Sequence, residues 1–273
     1  MIFDFHTHIF PDAIAKKAIP KLASICGCPN MTDGTLADTK SKMKEWGVDQ
    51  IAVMNIATTP TQHTSVNNWA ASIQQNGILC FGSVHPLAEK PIQELQRIHE
   101  LGLKGVKLHP DYQEFVVDDP NLFPLYEEAA ALHLPVLFHT GRDPLSPTLV
   151  HASSERMAKV AELFPSLSIV AAHMGGMSTP EEAEAFLLGK KNVWLDTAFI
   201  SHFLAPQQAS SMMRRHGLEQ ILFASDCPWS SSRQEMEFLE KCGFSSQEMD
   251  MILGQNACKL LDMPCNPEEI TLQ

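Results

Sequence analysis

Eight short apolar runs, each followed by a segment of helical periodicity, constrain the fold of this 273-residue chain more than any other feature. Apolar residues recur every three or four positions in the segments between the runs, which is the spacing of amphipathic helices. The runs cover residues 2–8, 50–57, 78–84, 105–109, 134–139, 167–173, 193–197 and 220–226. The predicted helices cover 12–23, 36–46, 61–75, 90–101, 121–132, 153–164, 181–188, 206–216, 234–242 and 246–261.

The apolar runs are typical of parallel strands. Residues 169–172, for example, read Ile-Val-Ala-Ala without a polar break, as do strands that are buried on both faces. Strands that alternate with helices through short connections indicate an α/β fold. Eight repeats favour a closed (β/α)8 TIM barrel, and the sequence lacks the GxGxxG and GxxxxGK(S/T) patterns of nucleotide-binding open sheets. We therefore predict one barrel domain over residues 1–273.

Composition and charge argue against several classes of binding partner. The formal net charge is −12 and the sequence pI is about 5.4, so the surface repels nucleic acid and anionic membranes. No run reaches the 18 apolar residues of a membrane span, and the N-terminus lacks the pattern of a signal peptide. Seven cysteines, with no paired CxxC motif, predict a reduced chain. We expect a cytoplasmic protein with a small-molecule partner, no nucleic-acid partner and no membrane.

Two histidines end the first run. His6 and His8 are two residues apart, so on a strand their side chains point to the same side, with Asp4 on that side as well. Imidazoles held together on a stiff element favour a divalent metal site. A short motif is a hypothesis until its context is known, and the other strand ends provide that context.

Polar residues that could also bind a metal lie at the ends of the later runs. In a barrel the carboxyl ends of all strands meet at one rim, where the chemistry occurs. Neutral imidazoles together with a carboxylate are typical of catalytic zinc sites, in which the metal lowers the pKa of water to about 7. The residues are His85 on the third run, Lys107 and His109 on the fourth, His139 on the fifth, His173 on the sixth, Asp196 on the seventh and Asp226 on the eighth.

Several motifs together resemble the amidohydrolase superfamily. They are DFHTH at the start, FHTG and AHMGG at the ends of runs five and six, FASDCPW at the last run, and Gln255-Asn256-Ala257. The similarity is greatest to the amidohydrolase-2 branch, which also contains metal-dependent decarboxylases of the aminocarboxymuconate-semialdehyde type. The resemblance implies a barrel that holds one divalent metal, Zn²⁺ or Mn²⁺, and makes a homodimer plausible.

The resemblance also implies roles for individual residues. The metal ligands would be His6, His8, His139 and Asp226. His173 would lie beside the metal-activated water as a general acid or base. Asp226 would serve as a general base as well as a ligand, since a carboxylate can do both.

Other residues have open alternatives. Arg142 either binds a substrate carboxylate, which suits guanidinium geometry, or is a surface arginine. His109 either faces the substrate or is structural, and Trp229 either lines the pocket or packs beneath its loop. Lys107 is either a carboxylated lysine that bridges two metals or an ordinary buried lysine, and we favour a mononuclear site. We expect Asp196 to orient a neighbouring ligand, and we expect structural roles for His85 and Asp4.

Three functions are consistent with these residues. The first is a metal-dependent hydrolase in which activated water attacks an amide, ester or lactone of a small, carboxylate-bearing substrate. The second is a non-oxidative decarboxylase, a carbon–carbon lyase, on the same site. The third is a barrel that binds metal without catalysis. Residue types alone do not separate the first two.

Overall fold

A computed structural model describes residues 1–144 and 148–265 of the chain. The chain forms two compact units. The first unit consists of Met1–Met54, Gln75–Leu79 and Asp196–Gln273, and the second unit consists of Asn55–Gln74 and Cys80–Leu195. That residues 1–273 act as one domain stays a prediction.

Each of the eight predicted runs contains a strand. The strands are shorter than the runs because the last residues of each run leave the sheet and carry polar side chains into loops. In the described part of the chain they are β1 (Phe3–Thr7), β2 (Gln50–Met54), β3 (Ile78–Phe81), β4 (Val106–Leu108), β5 (Val136–Phe138), β6 (Ile169–Ala171), β7 (Val193–Asp196) and β8 (Ile221–Leu222).

Strand β1 lies at the centre of the first unit. On one side it pairs in parallel with β2, with Phe3 opposite Gln50. On the other side it runs along the segment that follows β8, because Phe5 N donates to Phe223 O and Asp226 N donates to His6 O. Strand β1 therefore lies beside the continuation of β8, the last strand among the described residues, as in a (β/α)8 barrel.

The second unit contains four parallel strands in chain order, β4-β5-β6-β7. Their register places Val106 opposite Val136, Val136 opposite Ile169, and Ile169 opposite Val193. All the residues of β4, β5 and β6 are buried, which accounts for their continuous apolar sequence. The prediction of parallel strands is confirmed.

Helices follow the strands much as the sequence predicts. Ser245 caps the helix that begins at Ser246: its hydroxyl accepts from Glu248 N, and the Glu248 carboxylate accepts from Ser245 N. No helix within the described residues is long and apolar enough to cross a membrane. The helices are α1 (Asp12–Cys26), α2 (Leu36–Trp46), α3 (His63–Ile73), α4 (Pro91–Glu100), α5 (Phe123–Ala131), α6 (Ser154–Leu163), α7 (Pro180–Phe186), α8 (Pro206–His216), α9 (Ser232–Glu240), α10 (Ser246–Asp250) and α11 (Asn256–Leu260), with a π-helical turn at Met251–Gln255.

The cysteines require one correction. The sequence predicts reduced thiols throughout, but Cys26 and Cys28 form a disulfide. Gly27 ends α1 in the left-handed conformation with φ 68°, and this turn brings the two Cα atoms to 5.4 Å, a normal disulfide spacing. Sequence spacing alone did not reveal the turn. Among the described residues, Cys80, Cys227, Cys242, Cys258 and Cys265 carry free thiols.

Candidate metal centre

The two histidines of the HxH motif lie close together in the first unit. His6 and His8 come at the carboxyl end of β1, and both are buried. Their ring centroids are 5.1 Å apart, with the ring planes at 64°. The side chains of His6 and His8 therefore point to one side of the strand, as alternation predicts for residues i and i+2.

Hydrogen bonds fix the tautomer of each ring. Nδ1 of His8 lies 2.9 Å from the carbonyl oxygen of Met54, which can only accept. Nδ1 of His6 lies 2.8 Å from Oδ2 of Asp196, and an ionised carboxylate also only accepts. Both Nδ1 atoms therefore carry the proton, and both Nε2 atoms present a lone pair. A histidine whose second nitrogen donates to a carbonyl or carboxylate is typical of metal sites.

Both Nε2 atoms face one carboxylate. Oδ1 of Asp226 is 3.2 Å from Nε2 of His8 and 3.5 Å from Nε2 of His6. Three acceptors this close repel one another unless a cation lies between them. Bonds of 2.0–2.1 Å in a tetrahedral zinc site separate neighbouring ligand atoms by roughly 3.3 Å, in agreement with both distances. The residues present therefore fit a divalent metal.

The backbone conformation at Asp226 positions its carboxylate next to the two histidines. Asp226 adopts φ 65°, a left-handed conformation that aspartate and asparagine tolerate better than most residues. Its N–H donates to His6 O at 2.8 Å, and its carbonyl accepts from Trp229 N at 2.9 Å. Backbone bonds thus hold the carboxylate above the strand that carries the histidines. Trp229 is half-buried in the same loop.

Asp4 supports the centre from the interior, as predicted. It is fully buried, and it accepts from the hydroxyls of Ser225 and Ser232 and from Ser225 N. Burial raises the pKa of its carboxyl group to about 6, and these hydrogen bonds oppose the rise. Asp4 thereby ties the residue before Asp226 to β1.

A second cluster of imidazoles lies in the second unit. Nε2 of His173 is 3.1 Å from Nδ1 of His139, and one of the two nitrogens donates to the other. Oδ2 of Asp143 lies 3.7 Å from Nε2 of His139 and 3.6 Å from Nε2 of His109. The cluster brings together three of the predicted site residues, and all four residues are buried.

The two clusters differ in tautomer. Tyr112 N donates to Nδ1 of His109 at 3.4 Å, so Nε2 of His109 carries the proton and directs an N–H towards Asp143. The ligand atoms of His109, His139 and Asp143 lie close enough for a metal, as those of His6, His8 and Asp226 do. In the cluster of the first unit both histidines present a lone pair, whereas Nε2 of His109 carries a proton. That the chain binds a single metal stays a prediction.

The remaining predicted residues are placed as follows. Arg142 has an exposed side chain, and its N–H donates to Met177 O. The loop is fixed at Gly141, where φ is 92° and a Cβ atom would clash with the backbone of Met177. Lys107 is buried. His85 is also buried, and its Nδ1 accepts from Leu87 N, consistent with a structural role.

Asp143 of the second cluster was not predicted from the sequence, and neither were Tyr112 and Gln113, which contact His109. Asp143 follows His139 by four positions, and this spacing after a strand was a usable signal. The ring of Tyr112 stacks on that of His109 at 3.6 Å, and His109 stacks on His139 at 4.3 Å. The Gln113 amide donates to Ala57 O and Val84 O and accepts from His109 N, at 2.9 to 3.0 Å. Nothing in the sequence indicates these contacts of Tyr112 and Gln113.

That His139 completes the ligand set of His6, His8 and Asp226 stays a prediction, because His139 belongs to the other unit. The predicted role of Asp196 agrees with its contact to His6. The catalytic role of His173 and the substrate contacts of Arg142, His109 and Trp229 also stay predictions.

Replacing Asp196 with alanine is expected to lower metal affinity 10- to 100-fold. Asp196 accepts the Nδ1 proton of His6 and so holds the lone pair of Nε2 towards Asp226. Loss of such an orienting carboxylate typically has an effect of this size. Titration of the metal-free protein with Zn²⁺ against a competing chelator measures the affinity. Full affinity in this variant would contradict the role given to Asp196.

One protein-family model and three known proteins are similar to this chain. A protein-family model described as amidohydrolase matches residues 3–263. A 2-amino-3-carboxymuconate-6-semialdehyde decarboxylase from Dictyostelium discoideum is 33% identical over 32% of this chain, and the match spans 29% of that relative's length. An uncharacterised TIM-barrel protein from Bordetella bronchiseptica has a TM-score of 0.77 at 19% identity, covering 96% of this chain and 98% of its own. The 5-carboxyvanillate decarboxylase from Sphingomonas paucimobilis has a TM-score of 0.73 at 16% identity, covering 96% and 99%.

These findings define the class of protein. The structural likenesses show a (β/α)8 barrel fold of the α/β class, as the sequence predicts. The chain belongs to the amidohydrolase family. Enzymes of this family depend on divalent metals, and both decarboxylases and a hydrolase occur among the named relatives and solved structures.

Proposed function

We propose that the chain is a metal-dependent hydrolase of small, carboxylate-bearing amides, esters or lactones. The observation that carries the proposal is the convergence of two Nε2 lone pairs, from His6 and His8, on Oδ1 of Asp226. Three protein ligands leave a coordination position for a reactant, which is typical of catalytic rather than structural sites. A divalent metal bound there, Zn²⁺ or Mn²⁺, supplies a Lewis acid for a carbonyl group and acidifies water.

The chain's own residues provide the rest of the chemistry. His6 and His8 hold their places through Nδ1 and contribute neutral nitrogens. Asp226 contributes the negative charge, and its second oxygen can take a proton from an attacking water. We keep the sequence-based proposals that His139 is a fourth ligand, in which case the reactant would take a fifth coordination position, and that His173 carries a proton. We also keep Arg142, whose side chain is exposed, as the group that binds a substrate carboxylate.

A decarboxylase is the second candidate. The Dictyostelium relative with 33% identity carries that name, although the match covers less than a third of either protein. The same metal ligands suit a substrate acid, which would lose carbon dioxide and accept a proton at carbon. A chain that binds metal but transforms no substrate is the third candidate.

A substrate panel separates the three candidates. The protein loaded with Zn²⁺ or Mn²⁺ is given lactones, esters and amides of small acids, and separately aromatic and unsaturated acids with detection of carbon dioxide. We expect hydrolysis that disappears in Asp226→Asn. Carbon dioxide release without any hydrolysis would overturn the first candidate in favour of the second. A metal-loaded chain that transforms no compound in the panel would favour the third.

A further inference from the structure

The loop that follows β7 carries one imidazole whose position is fixed although its side chain is exposed. His202 stacks on the ring of Phe199 at 3.8 Å, with the planes only 3° from parallel. Phe199 reaches this position with φ 63°, a conformation that costs a non-glycine residue free energy. The stacking and the left-handed backbone of Phe199 therefore hold an exposed histidine in one position, which suggests a functional role.

A chain of hydrogen bonds fixes the orientation of the His202 ring. The Ser201 hydroxyl donates to Oε1 of the buried Glu235 at 2.7 Å, so Ser201 Oγ can only accept from Gln234. The amide nitrogen of Gln234, rather than its amide oxygen, therefore faces Ser201. This nitrogen, Nε2, lies 2.9 Å from Ser201 Oγ and 3.0 Å from Nε2 of His202. The Gln234 amide donates to both, and His202 must accept at Nε2. The proton of the neutral ring is consequently on Nδ1.

The same network joins the His202 loop to the loop of Asp226. Ser201, after β7, and Ser230, after β8, both donate to Oε1 of Glu235, at 2.7 and 2.6 Å. At the base of the two loops, Thr197 Oγ1 donates to Ala224 O and accepts from Ala224 N. His202 thus follows the strand that supplies Asp196 and lies beside the loop that supplies Asp226. Partial burial lowers the pKa of His202, and the Asp226 carboxylate opposes this effect.

We propose that His202 is a substrate-binding residue, which donates a hydrogen bond from Nδ1 to an oxygen of the substrate acid next to Asp226, and that Gln234 is its positioning residue. The proposal rests on the proposed function because it concerns the substrate of the same site. It adds a donor that no motif indicated, since His202 belongs to neither histidine cluster.

The test measures binding rather than turnover. Benzoate, an acid whose only polar group is its carboxylate, is titrated into the Mn²⁺-loaded protein by calorimetry. His202→Phe keeps a ring against Phe199 but removes the donor. We expect the affinity for benzoate to fall by at least about tenfold and the metal content to stay unchanged. Loss of a hydrogen bond to a charged group usually has an effect of this size. His99→Phe makes the same chemical change at an exposed position of α4 and serves as the control.

Gln234 is tested by a spectroscopic signature. In protein with ¹⁵N-labelled histidine, the ring nitrogens of His202 are expected to report a proton on Nδ1. Gln234→Met, which keeps the length of the side chain but cannot donate, is expected to shift this tautomer and to weaken benzoate binding. A proton on Nε2 in the wild type would overturn the positioning role, because the Gln234 amide could not then donate to that nitrogen.

The outcomes separate this inference from the proposed function. Unchanged benzoate affinity in His202→Phe, or no benzoate binding by the metal-loaded wild type, would overturn the inference even if the panel shows hydrolysis. Benzoate binding that depends on His202, together with no turnover of any panel compound, would support the inference and contradict the hydrolase. A loss that His99→Phe reproduces would also overturn the inference.

Discussion

Asp226→Asn is expected to lower the affinity of the chain for Zn²⁺ or Mn²⁺ by at least about 100-fold and to abolish turnover. The loss should exceed that for Asp196, because Asp226 offers its oxygen to the metal itself whereas Asp196 acts through His6. The carboxylate is also the only negative charge among the three converging groups. Without it, neutral imidazoles alone would have to hold a divalent cation.

Asparagine is the right replacement because it separates binding from folding. Asp226 has φ 65°, which asparagine adopts more readily than alanine, and the backbone bond from its N–H to His6 O is unaffected by the change. Metal content after dialysis and competition with a chelator give the affinity. Asp250→Asn makes the same change on an exposed face of α10 and should retain full affinity. Equal affinity in Asp226→Asn and the wild type would remove Asp226 from the ligand set.

The candidate metal centre of the first unit was largely predictable because its geometry follows from local rules. Strand alternation alone places His6 beside His8, and parallel order places the carboxyl end of the last strand near that of the first. Asp196 was predictable for the same reason, as a polar residue at the end of a buried strand. No sequence rule, however, shows that Asp196 bonds to His6 rather than to His8.

Contacts between loops were not predictable. The stacking of Tyr112 on His109 and the bonds of Gln113 to two other loops depend on how the chain turns after each strand. The disulfide between Cys26 and Cys28 depends in the same way on the left-handed turn at Gly27. Hydrophobic periodicity describes the faces of strands and helices and says little about such turns.

The buried carboxylate of Glu235, which is lined by serines, was not predictable either. Glu235 is buried on α9 and accepts from Ser230 Oγ, Ser201 Oγ and Ser201 N. Burial raises the pKa of its carboxyl group from 4.5 to about 7, because the charged form loses its hydration, and the hydrogen bonds from the two serines only partly oppose this rise.

The raised pKa makes the folded state bind a proton that the unfolded state has released. Below pH 4.5 both states are protonated, and the contribution of Glu235 to stability is fully present. Between pH 4.5 and about 7 the unfolded chain ionises first, and the contribution is lost as the pH rises. The loss is on the order of 3 kcal/mol, from about 1.4 kcal/mol for each pKa unit.

Glu235→Gln is expected to remove this pH dependence. The free energy of unfolding is measured in urea on metal-free protein at pH 4.5 and at pH 7.5. Its decrease between these two pH values should be about 3 kcal/mol smaller in the variant than in the wild type. The comparison of two pH values cancels any constant change in hydrogen bonding that glutamine brings. Glu237→Gln, at an exposed position of the same helix, should follow the wild type. Parallel pH profiles for Glu235→Gln and the wild type would show that the buried carboxyl group titrates alike in both states.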